Sequence, residues 1–486
     1  MLKDDNLLRV SSYIDGQWVD ADSGDRFAVD NPADGTIVAK VADCGGDETR
    51  RAIEAAERAL PDWRARSPQV RSAILKRWHA LILEHRDDLA MLMTLEQGKT
   101  LAEARGEVAY GASFVEWFAE EGRRVYGDVL PTPKSDRRLL VLRQAVGVTA
   151  AITPWNFPNA MLTRKAAPAL AVGCTMVLKP AAETPLSALA LAELAHRAGV
   201  PAGVLNVVPG LDPAPIGEAL TSSPIVRKLT FTGSTAVGKL LLRQCADTVK
   251  RASMELGGNA PVIVFDDADL DRAVRGAVAS KYRNSGQVCI SANRVLVHKA
   301  IHDAFVARFI EAVGGFRLGD GRDAATTHGP MVSERAVSKV DDLVRRTVAE
   351  GATAVVGGER SELGPCFYGP TVLTDVQPNM GLFREEIFGP VAPVLTFSDE
   401  AEAIRLANDT RYGLAAYVYT NHMGRAMRVG EALEYGMVGI NETGISSEVI
   451  PFGGVKESGI GREGSKYGLD EYLETKYLCL GGLDAG

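Results

Sequence analysis

The sequence lacks a long apolar run and lacks closely spaced cysteines. Its most apolar segment, residues 166–178, is interrupted by Pro168 and Gly173 and falls short of the ~20 residues that a membrane helix needs. The amino-terminal residues are polar and mixed, without the apolar core of a secretion signal. The six cysteines form no Cys-x-x-Cys motif. These features argue against a membrane protein, a disulfide framework and a zinc site, and they predict reduced thiols in the cytoplasm.

A basic surface for nucleic acid is also missing. The chain has 54 Lys and Arg against 62 Asp and Glu, which gives a formal net charge of −8. Its 46% hydrophobic and 24% charged residues are ordinary for a soluble globular protein. At 486 residues the chain far exceeds the ~100–200 typical of one domain. We therefore expect two or more packed domains that contact neither nucleic acid nor a membrane.

Strand-like and helical runs alternate between residues 148 and 255. Five strand-like runs are separated by four helical patterns there, which predicts a doubly wound parallel sheet covered on both faces. A helical region at about 47–122 precedes it, and residues 139–143 alternate like an edge strand. A second α/β segment is expected from about 260 to 450. The predicted fold class is therefore α/β with two domains.

One cysteine has the surroundings of a nucleophile. Cys289 follows a small Asn-Ser-Gly turn at 284–286, and Arg283 lies six residues before it. Gly286 lets the backbone come close to a ligand, but a free thiol has a pKa of ~8.5 and needs activation at neutral pH. A buried structural cysteine is the alternative. The polar neighbours of Cys289, among them Gln287, argue against an inert apolar pocket.

Three segments at predicted strand ends suit chemistry beside a cysteine, because ligands of such sheets lie at the carboxyl ends of the strands. Asn156 lies in a loop with two prolines, where its amide could donate to a developing oxyanion or cap the next helix. Glu255 precedes two glycines and could be a general base or a solvated carboxylate. Residues 231–238 place glycines five apart at a strand-to-helix turn, where a helix amino end can bind pyrophosphate.

Together these stretches resemble the NAD(P)-dependent aldehyde dehydrogenase superfamily. Seven segments carry the likeness in the family's order, and they are residues 153–158, 179–181, 231–238, 255–258, 286–289, 386–390 and 451–459. The resemblance covers essentially the whole chain. It implies that Cys289 is the nucleophile and that Asn156, with the Cys289 backbone N–H, forms the oxyanion hole. It also implies that Glu255 is the base for hydrolysis of a thioester.

The resemblance further implies a site for NAD or NADP and no metal. Lys179 is similar to the lysine that holds the adenosine ribose, and Glu386 to the acid that holds the nicotinamide ribose. The other implied cofactor-binding residues are Thr153, Pro154, Trp155, Ala182, Glu183, Gly233, Ser234, Leu256 and Phe388. NAD-selective relatives often carry a glutamate three residues after the lysine, and here that position is Ala182. This departure predicts that NADP is accepted.

The family's plan implies three structural parts. They are an NAD(P)-binding domain of residues 1–126 and 148–256, a catalytic domain of residues 257–458, and bridging segments at 127–147 and 459–486. The bridging segments, a β flap and the tail, are implied to join subunits into a homodimer or homotetramer.

Within the superfamily, the chain resembles the succinate-semialdehyde dehydrogenases. Residues 163–165, 281–283, 445–448 and 461–468 carry that likeness. In that family two arginines and a serine hold the far carboxylate of the substrate, and they map to Arg164, Arg283 and Ser446. The implied function is oxidation of succinate semialdehyde to succinate through a thiohemiacetal and a thioester on the cysteine. Residues 441–444 depart from the run that is usual in that family, which predicts a different shape for the loop of Ser446. Ser291 stands where several relatives carry a second cysteine, two residues after the nucleophile.

Several alternatives remain open at this level. A carboxylate anchor does not fix chain length, so glutarate semialdehyde and 2-oxoglutarate semialdehyde are alternative substrates. A cysteine-dependent esterase and a catalytically inactive binding protein of the same fold are further alternatives. Each arginine could instead pair with a nearby acid such as Asp269 or Glu448.

Overall fold

The structure is a computed structural model and describes residues 2–483. The first part of the chain forms short hairpins, four long helices and a strand ribbon. Its elements are β1 (Ser12–Ile14), β2 (Gln17–Val19), β3 (Arg26–Asp30), β4 (Ile37–Ala42), α1 (Gly46–Ala65), α2 (Pro68–Glu84), α3 (Arg86–Gln97), α4 (Leu101–Glu121), β5 (Asp128–Leu130) and β6 (Arg138–Ala145). A capping box starts α4, because Thr100 and Glu103 each accept the other's backbone N–H.

The next part alternates strand and helix as the sequence predicts. Its elements are β7 (Val148–Ile152), α5 (Pro158–Val172), β8 (Thr175–Lys179), α6 (Pro185–Ala198), β9 (Leu205–Val207), α7 (Pro213–Ser222), β10 (Val226–Thr232), α8 (Thr235–Ala246) and β11 (Arg251–Glu255). Proline occupies the first turn of α5, α6 and α7, where its missing N–H costs no helical hydrogen bond.

The remainder forms the second α/β region and the tail. Its elements are β12 (Ala260–Val264), α9 (Leu270–Tyr282), β13 (Ala292–His298), α10 (His302–Gly314), α11 (Glu334–Ala349), β14 (Thr353–Val356), β15 (Thr371–Thr374), α12 (Gly381–Arg384), β16 (Val391–Phe397), α13 (Glu400–Asn408), β17 (Ala415–Tyr419), α14 (Met423–Ala432), β18 (Met437–Ile440), β19 (Gly459–Ile460), α15 (Tyr467–Asp470) and β20 (Leu473–Leu480).

Two large sheets organise the molecule. The first has the strand order β19-β11-β10-β7-β8-β9-β1-β2, and the five strands from β11 to β9 are parallel. The second has the order β14-β15-β16-β13-β12-β17-β18, in which only β14 runs antiparallel to its neighbour. All five residues of β8 are buried, as expected for a strand covered on both faces. The predicted doubly wound α/β fold is confirmed.

A smaller antiparallel sheet has the order β20-β6-β5. The sequence predicts residues 139–143 as an edge strand, and this prediction is wrong because β6 lies in the middle. The tail strand β20 pairs with it along its whole length, from Leu473 opposite Ala145 to Leu480 opposite Arg138. Residues 484–486 of the predicted bridging tail lie outside the described residues. Within residues 2–483, no helix is long and apolar enough to cross a membrane.

Candidate active site

A strained turn sets the position of Cys289. Asn284, Ser285 and Gly286 have φ values of 50°, 53° and 73°, all in the left-handed region that non-glycine residues rarely adopt. A Cβ atom at Gly286 would lie 2.1 Å from the carbonyl oxygen of Gly389, so only glycine fits there. The turn ends α9 abruptly and directs the chain toward Cys289 three residues later.

Neighbouring segments hold this turn in place. The Asn284 backbone N–H donates to Glu103 Oε1 at 2.6 Å, and the Ser285 hydroxyl donates to the Gly329 carbonyl at 2.8 Å. The Val332 N–H donates to the side chain of Gln287 at 2.9 Å. Such external bonds offset the cost of three consecutive left-handed residues, which is typical of functional sites.

Cys289 lies on the wall shared by two cavities. The first cavity has a volume of about 320 Å³ and includes Arg164 and Arg283 in its lining. The second has a volume of about 270 Å³ and lies on the side of Glu255. Phe157 also lines both cavities. A thiol in this position can meet two different ligands, one from each side.

Burial has the largest effect on the pKa of the Cys289 thiol. Burial is the main reason that the pKa of Cys289 is raised to about 12, and the carboxyl groups of Glu386 and Glu255 contribute to the rise. Arg164 and Arg283 act in the opposite direction. The thiol is therefore protonated at neutral pH in this environment, and the nearby cations favour the thiolate that attacks.

Hydrogen bonds hold Asn156 beside the turn that precedes Cys289. Its backbone carbonyl oxygen accepts from Lys99 Nζ at 2.7 Å and from Asn284 Nδ2 at 3.0 Å. Its own Nδ2 donates to the Gln287 carbonyl at 2.9 Å. Because an amide nitrogen carries two hydrogens, one N–H stays available for a developing oxyanion.

A buried ion pair between Lys99 and Glu107, which the sequence did not predict, supports the Asn156 loop. Lys99 Nζ and Glu107 Oε2 are 2.5 Å apart, and both side chains are 1% exposed. Glu107 Oε1 accepts from the backbone N–H groups of Asn159 and Ala160 at the start of α5. The available signal was that Glu103 and Glu107 are four residues apart, which places them on one face of α4, and that Lys99 lies four residues before Glu103.

Glu255 ends β11 and lines the second cavity with only 4% of its surface exposed. Burial raises its pKa well above the usual range, and the negative charge of Glu463 adds to the rise. Although burial opposes it, Lys165 and Arg164 lower the pKa of Glu463, and Lys165 is hydrogen-bonded to it. Of these two carboxyl groups, Glu463 is therefore the one that more readily keeps its charge and Glu255 the one that more readily holds a proton.

Seven of the predicted cofactor residues line the second cavity, and they are Pro154, Trp155, Gly233, Ser234, Leu256, Glu386 and Phe388. Ser234 starts α8 by accepting the N–H of Val237, which leaves the amino end of a twelve-residue helix directed at the cavity. Glu386 accepts the Gly258 N–H at 2.9 Å, and burial raises its pKa to about 7. A helix amino end for phosphates and a fixed carboxyl for a ribose fit a nicotinamide dinucleotide.

The other predicted cofactor residues lie beyond the cavity lining. The Thr153 N–H donates to the Lys179 carbonyl at 3.1 Å, so these two residues sit at adjacent strand ends. Lys179 is 4% exposed, and its ammonium donates to the Pro180 carbonyl at 3.1 Å. Ala182 is half-buried and Glu183 is exposed. Their assignment to the adenosine ribose stays a prediction.

The three predicted substrate residues, Arg164, Arg283 and Ser446, all line the first cavity. Arg283 is exposed, and no carboxylate in the described part of the chain lies within 4 Å of it. Arg164 is 2% exposed, and its Nε lies 2.9 Å from Glu463 Oε2. The alternative that each arginine pairs with a nearby acid therefore holds for Arg164, but its partner is Glu463 and not Asp269 or Glu448.

Comparison with known proteins places this geometry in a family. The family model described as the aldehyde dehydrogenase family matches residues 18–478. The NADP(+) succinate-semialdehyde dehydrogenase of Escherichia coli is 58% identical over 480 residues, which cover 99% of both chains. The glutarate-semialdehyde dehydrogenase of Pseudomonas aeruginosa is also 58% identical and covers 99% of this chain and 100% of its own.

A solved structure agrees with these relatives. The crystal structure of succinate-semialdehyde dehydrogenase from Burkholderia pseudomallei superposes with a TM-score of 0.98 at 57% identity and covers 99% of each chain. The chain belongs to the aldehyde dehydrogenase family. It is an oxidoreductase that acts on a small-molecule aldehyde and uses a nicotinamide cofactor of the NAD(P) type. The two cavities that meet at Cys289 offer space for two ligands, one on each side of the thiol.

Proposed function

We propose that the protein oxidises succinate semialdehyde to succinate with NAD or NADP. The observation that supports this substrate is the unpaired cation of Arg283 on the cavity that also holds Ser446 and the Cys289 thiol. A cation without a partner beside an apolar wall favours an anionic ligand, because a carboxylate accepts charge-assisted hydrogen bonds there. An aldehyde that carries a carboxylate at its other end can reach the thiol and the arginine together.

The side chains divide the reaction between them. The Cys289 thiolate attacks the aldehyde carbon, and the free N–H of Asn156 with the Cys289 N–H stabilises the oxyanion of the thiohemiacetal. A bound nicotinamide cofactor supplies the hydride acceptor. Glu255 then removes a proton from the water that hydrolyses the thioester on Cys289, which releases the acid. Arg164 and Arg283 favour the reactive thiolate through their positive charge.

Replacement of Arg283 by leucine tests the substrate. We expect kcat/KM for succinate semialdehyde to fall by ~10- to 100-fold, because a charge-assisted hydrogen bond is lost. Oxidation of butanal, which has the same carbon chain but no carboxylate, should change little. Arg275→Leu on α9, the helix that ends directly before Arg283, lies at an exposed position outside the cavity lining and is the matched control. An equal loss on both aldehydes would mean that Arg283 supports the catalytic turn and does not contact the substrate.

Glutarate semialdehyde is the second candidate substrate. The relative of that name is as similar to this chain as the succinate-semialdehyde relative, at 58% identity. The same assay on both semialdehydes, and on 2-oxoglutarate semialdehyde, ranks them by kcat/KM. A higher value for either five-carbon semialdehyde would reassign the substrate and leave the carboxylate anchor in place.

The cofactor prediction concerns the position three residues after Lys179. Ala182 offers no carboxylate there, and Glu183 forms no ion pair with Lys179 within 4 Å in the described residues. A carboxylate at the ribose would repel a 2′-phosphate, whereas an alanine does not. We therefore expect NADP to be accepted, with a kcat/KM at least comparable to that for NAD. A large preference for NAD would mean that Glu183 reaches the ribose when the cofactor binds.

We propose three structural parts. Residues 1–126 and 148–256 bind the cofactor, and residues 257–458 carry the catalytic cysteine. The bridging segments 127–147 and 459–486, which supply β5, β6 and β20 of the antiparallel sheet, join subunits into a dimer or tetramer. The exposed apolar side chains of Val129, Leu130 and Leu480 on that sheet support the last role. A cytoplasmic location stays a prediction.

A further inference from the structure

Tyr110 connects Arg164 and Ser446, which both line the first cavity, the one proposed to bind the aldehyde. It lies on α4, is half-buried, and lines the cavity together with Arg283. Its hydroxyl oxygen is 2.5 Å from Ser446 Oγ, and Arg164 Nη1 donates to that hydroxyl over a longer distance of 3.4 Å. The Phe114 ring packs edge-on against the tyrosine ring at 5.0 Å between centroids and fixes its place. The three polar groups thus form a chain that ends at the cavity.

The Arg164 end of this chain has a fixed direction, because a guanidinium has no acceptor atom and the tyrosine oxygen therefore accepts from Arg164. Either hydroxyl can donate in the bond between Tyr110 and Ser446. When an anion in the cavity accepts the hydrogen of Ser446, the single hydrogen of the Tyr110 hydroxyl has to go to Ser446 Oγ. In that state Ser446 accepts from Tyr110 and donates to the anion. A serine that accepts from a polarised donor is a stronger donor itself.

Arg164 is poorly placed to leave this arrangement. It is 2% exposed, it is paired with Glu463, and its guanidinium lies 4.1 Å from the centroid of the Phe452 ring. Arg283, on the other hand, is exposed and unpaired in the described residues. Arg283 therefore presents an unpaired positive charge to an anion, whereas the charge of Arg164 already has Glu463 as its partner.

We infer that Tyr110 is a specificity-determining positioning residue, which orients the Ser446 hydroxyl as a donor to the carboxylate of the substrate and transmits the polarisation from Arg164. The inference rests on the proposed function and assigns the two sides of the anion site. Arg283 provides a direct charge on one side, and the chain from Arg164 through Tyr110 to Ser446 provides an oriented hydroxyl on the other.

The test is Tyr110→Phe, which keeps the ring and removes the hydroxyl. We expect the ratio of kcat/KM for succinate semialdehyde to that for butanal to fall roughly 3- to 10-fold, mostly through a higher KM for the carboxylated aldehyde. Tyr13→Phe is the matched control, because Tyr13 is 2% exposed and loses a comparable bond to His196 at 3.0 Å away from both cavities. It should leave the ratio unchanged.

A double-mutant cycle with Ser446→Ala separates relay from direct contact. If Tyr110 acts through Ser446, Tyr110→Phe has little further effect in a protein that already carries Ser446→Ala, and the two effects on the ratio are not additive. Additive effects, or an unchanged ratio in Tyr110→Phe, would overturn the inference. The failure of the proposed function is a different result, since the wild-type enzyme would then show no preference for the carboxylated aldehyde over butanal.

Discussion

The Cys289→Ala variant is expected to lose aldehyde oxidation by at least ~10⁴-fold, because no other group can form the covalent intermediate. Among the six cysteines, Cys289 alone lines the two cavities beside the proposed chemistry, and its neighbours hold it there. The absorbance of reduced cofactor measures the loss. A variant that keeps a substantial rate would contradict the assignment of Cys289 as the nucleophile.

The same variant should fold and bind cofactor normally. Cys289 is half-buried and forms no side-chain hydrogen bond in the described residues, so alanine removes little packing and no network. Thermal unfolding and quenching of protein fluorescence by cofactor would check both properties. Cys366→Ala, at a half-buried cysteine away from both cavities, is the matched control and should retain full turnover.

The sequence predicts the first sheet well because its signals are local. The sequence predicts five strands and four helices between residues 148 and 255, and the structure has five strands, β7 to β11, and four helices, α5 to α8, in that region. Apolar runs bounded by glycine and proline define such elements without help from the rest of the chain. Cys289, Asn156 and Glu255 were found in the same way, because each stands beside a turn or a strand end.

The contacts between distant segments are the part that local patterns could not provide. The place of β6 in its sheet depends on β20, which follows more than three hundred residues later. Glu463 pairs with Arg164 and Lys165 from the tail of the chain, so its effect on Glu255 is invisible in the sequence around either residue. Tyr110 likewise gains its proposed role from a bond to Ser446, which lies in a loop 336 residues away.

Replacement of Glu255 by glutamine is expected to separate the two halves of the reaction. Glutamine keeps the shape of the side chain but cannot accept a proton from water, so hydrolysis of the thioester should slow by ~10²- to 10³-fold. Hydride transfer, which precedes that step, should change much less. Rapid mixing should therefore show a burst of reduced cofactor in the first turnover, followed by a slow steady rate.

The pH dependence provides a second signature of Glu255. Burial and the charge of Glu463 raise the pKa of Glu255 well above the usual range, so its inactive, protonated form persists to a higher pH than for an ordinary glutamate. Hydrolysis should accelerate as the pH rises through that pKa, and Glu255→Gln should lack this acceleration. The measurement is the steady-state rate after the burst, taken across the pH range for both proteins, with Glu54→Gln at an exposed position of α1 as the matched control. If the burst itself slows as much as the steady rate, Glu255 acts in deprotonating the Cys289 thiol and not in hydrolysis.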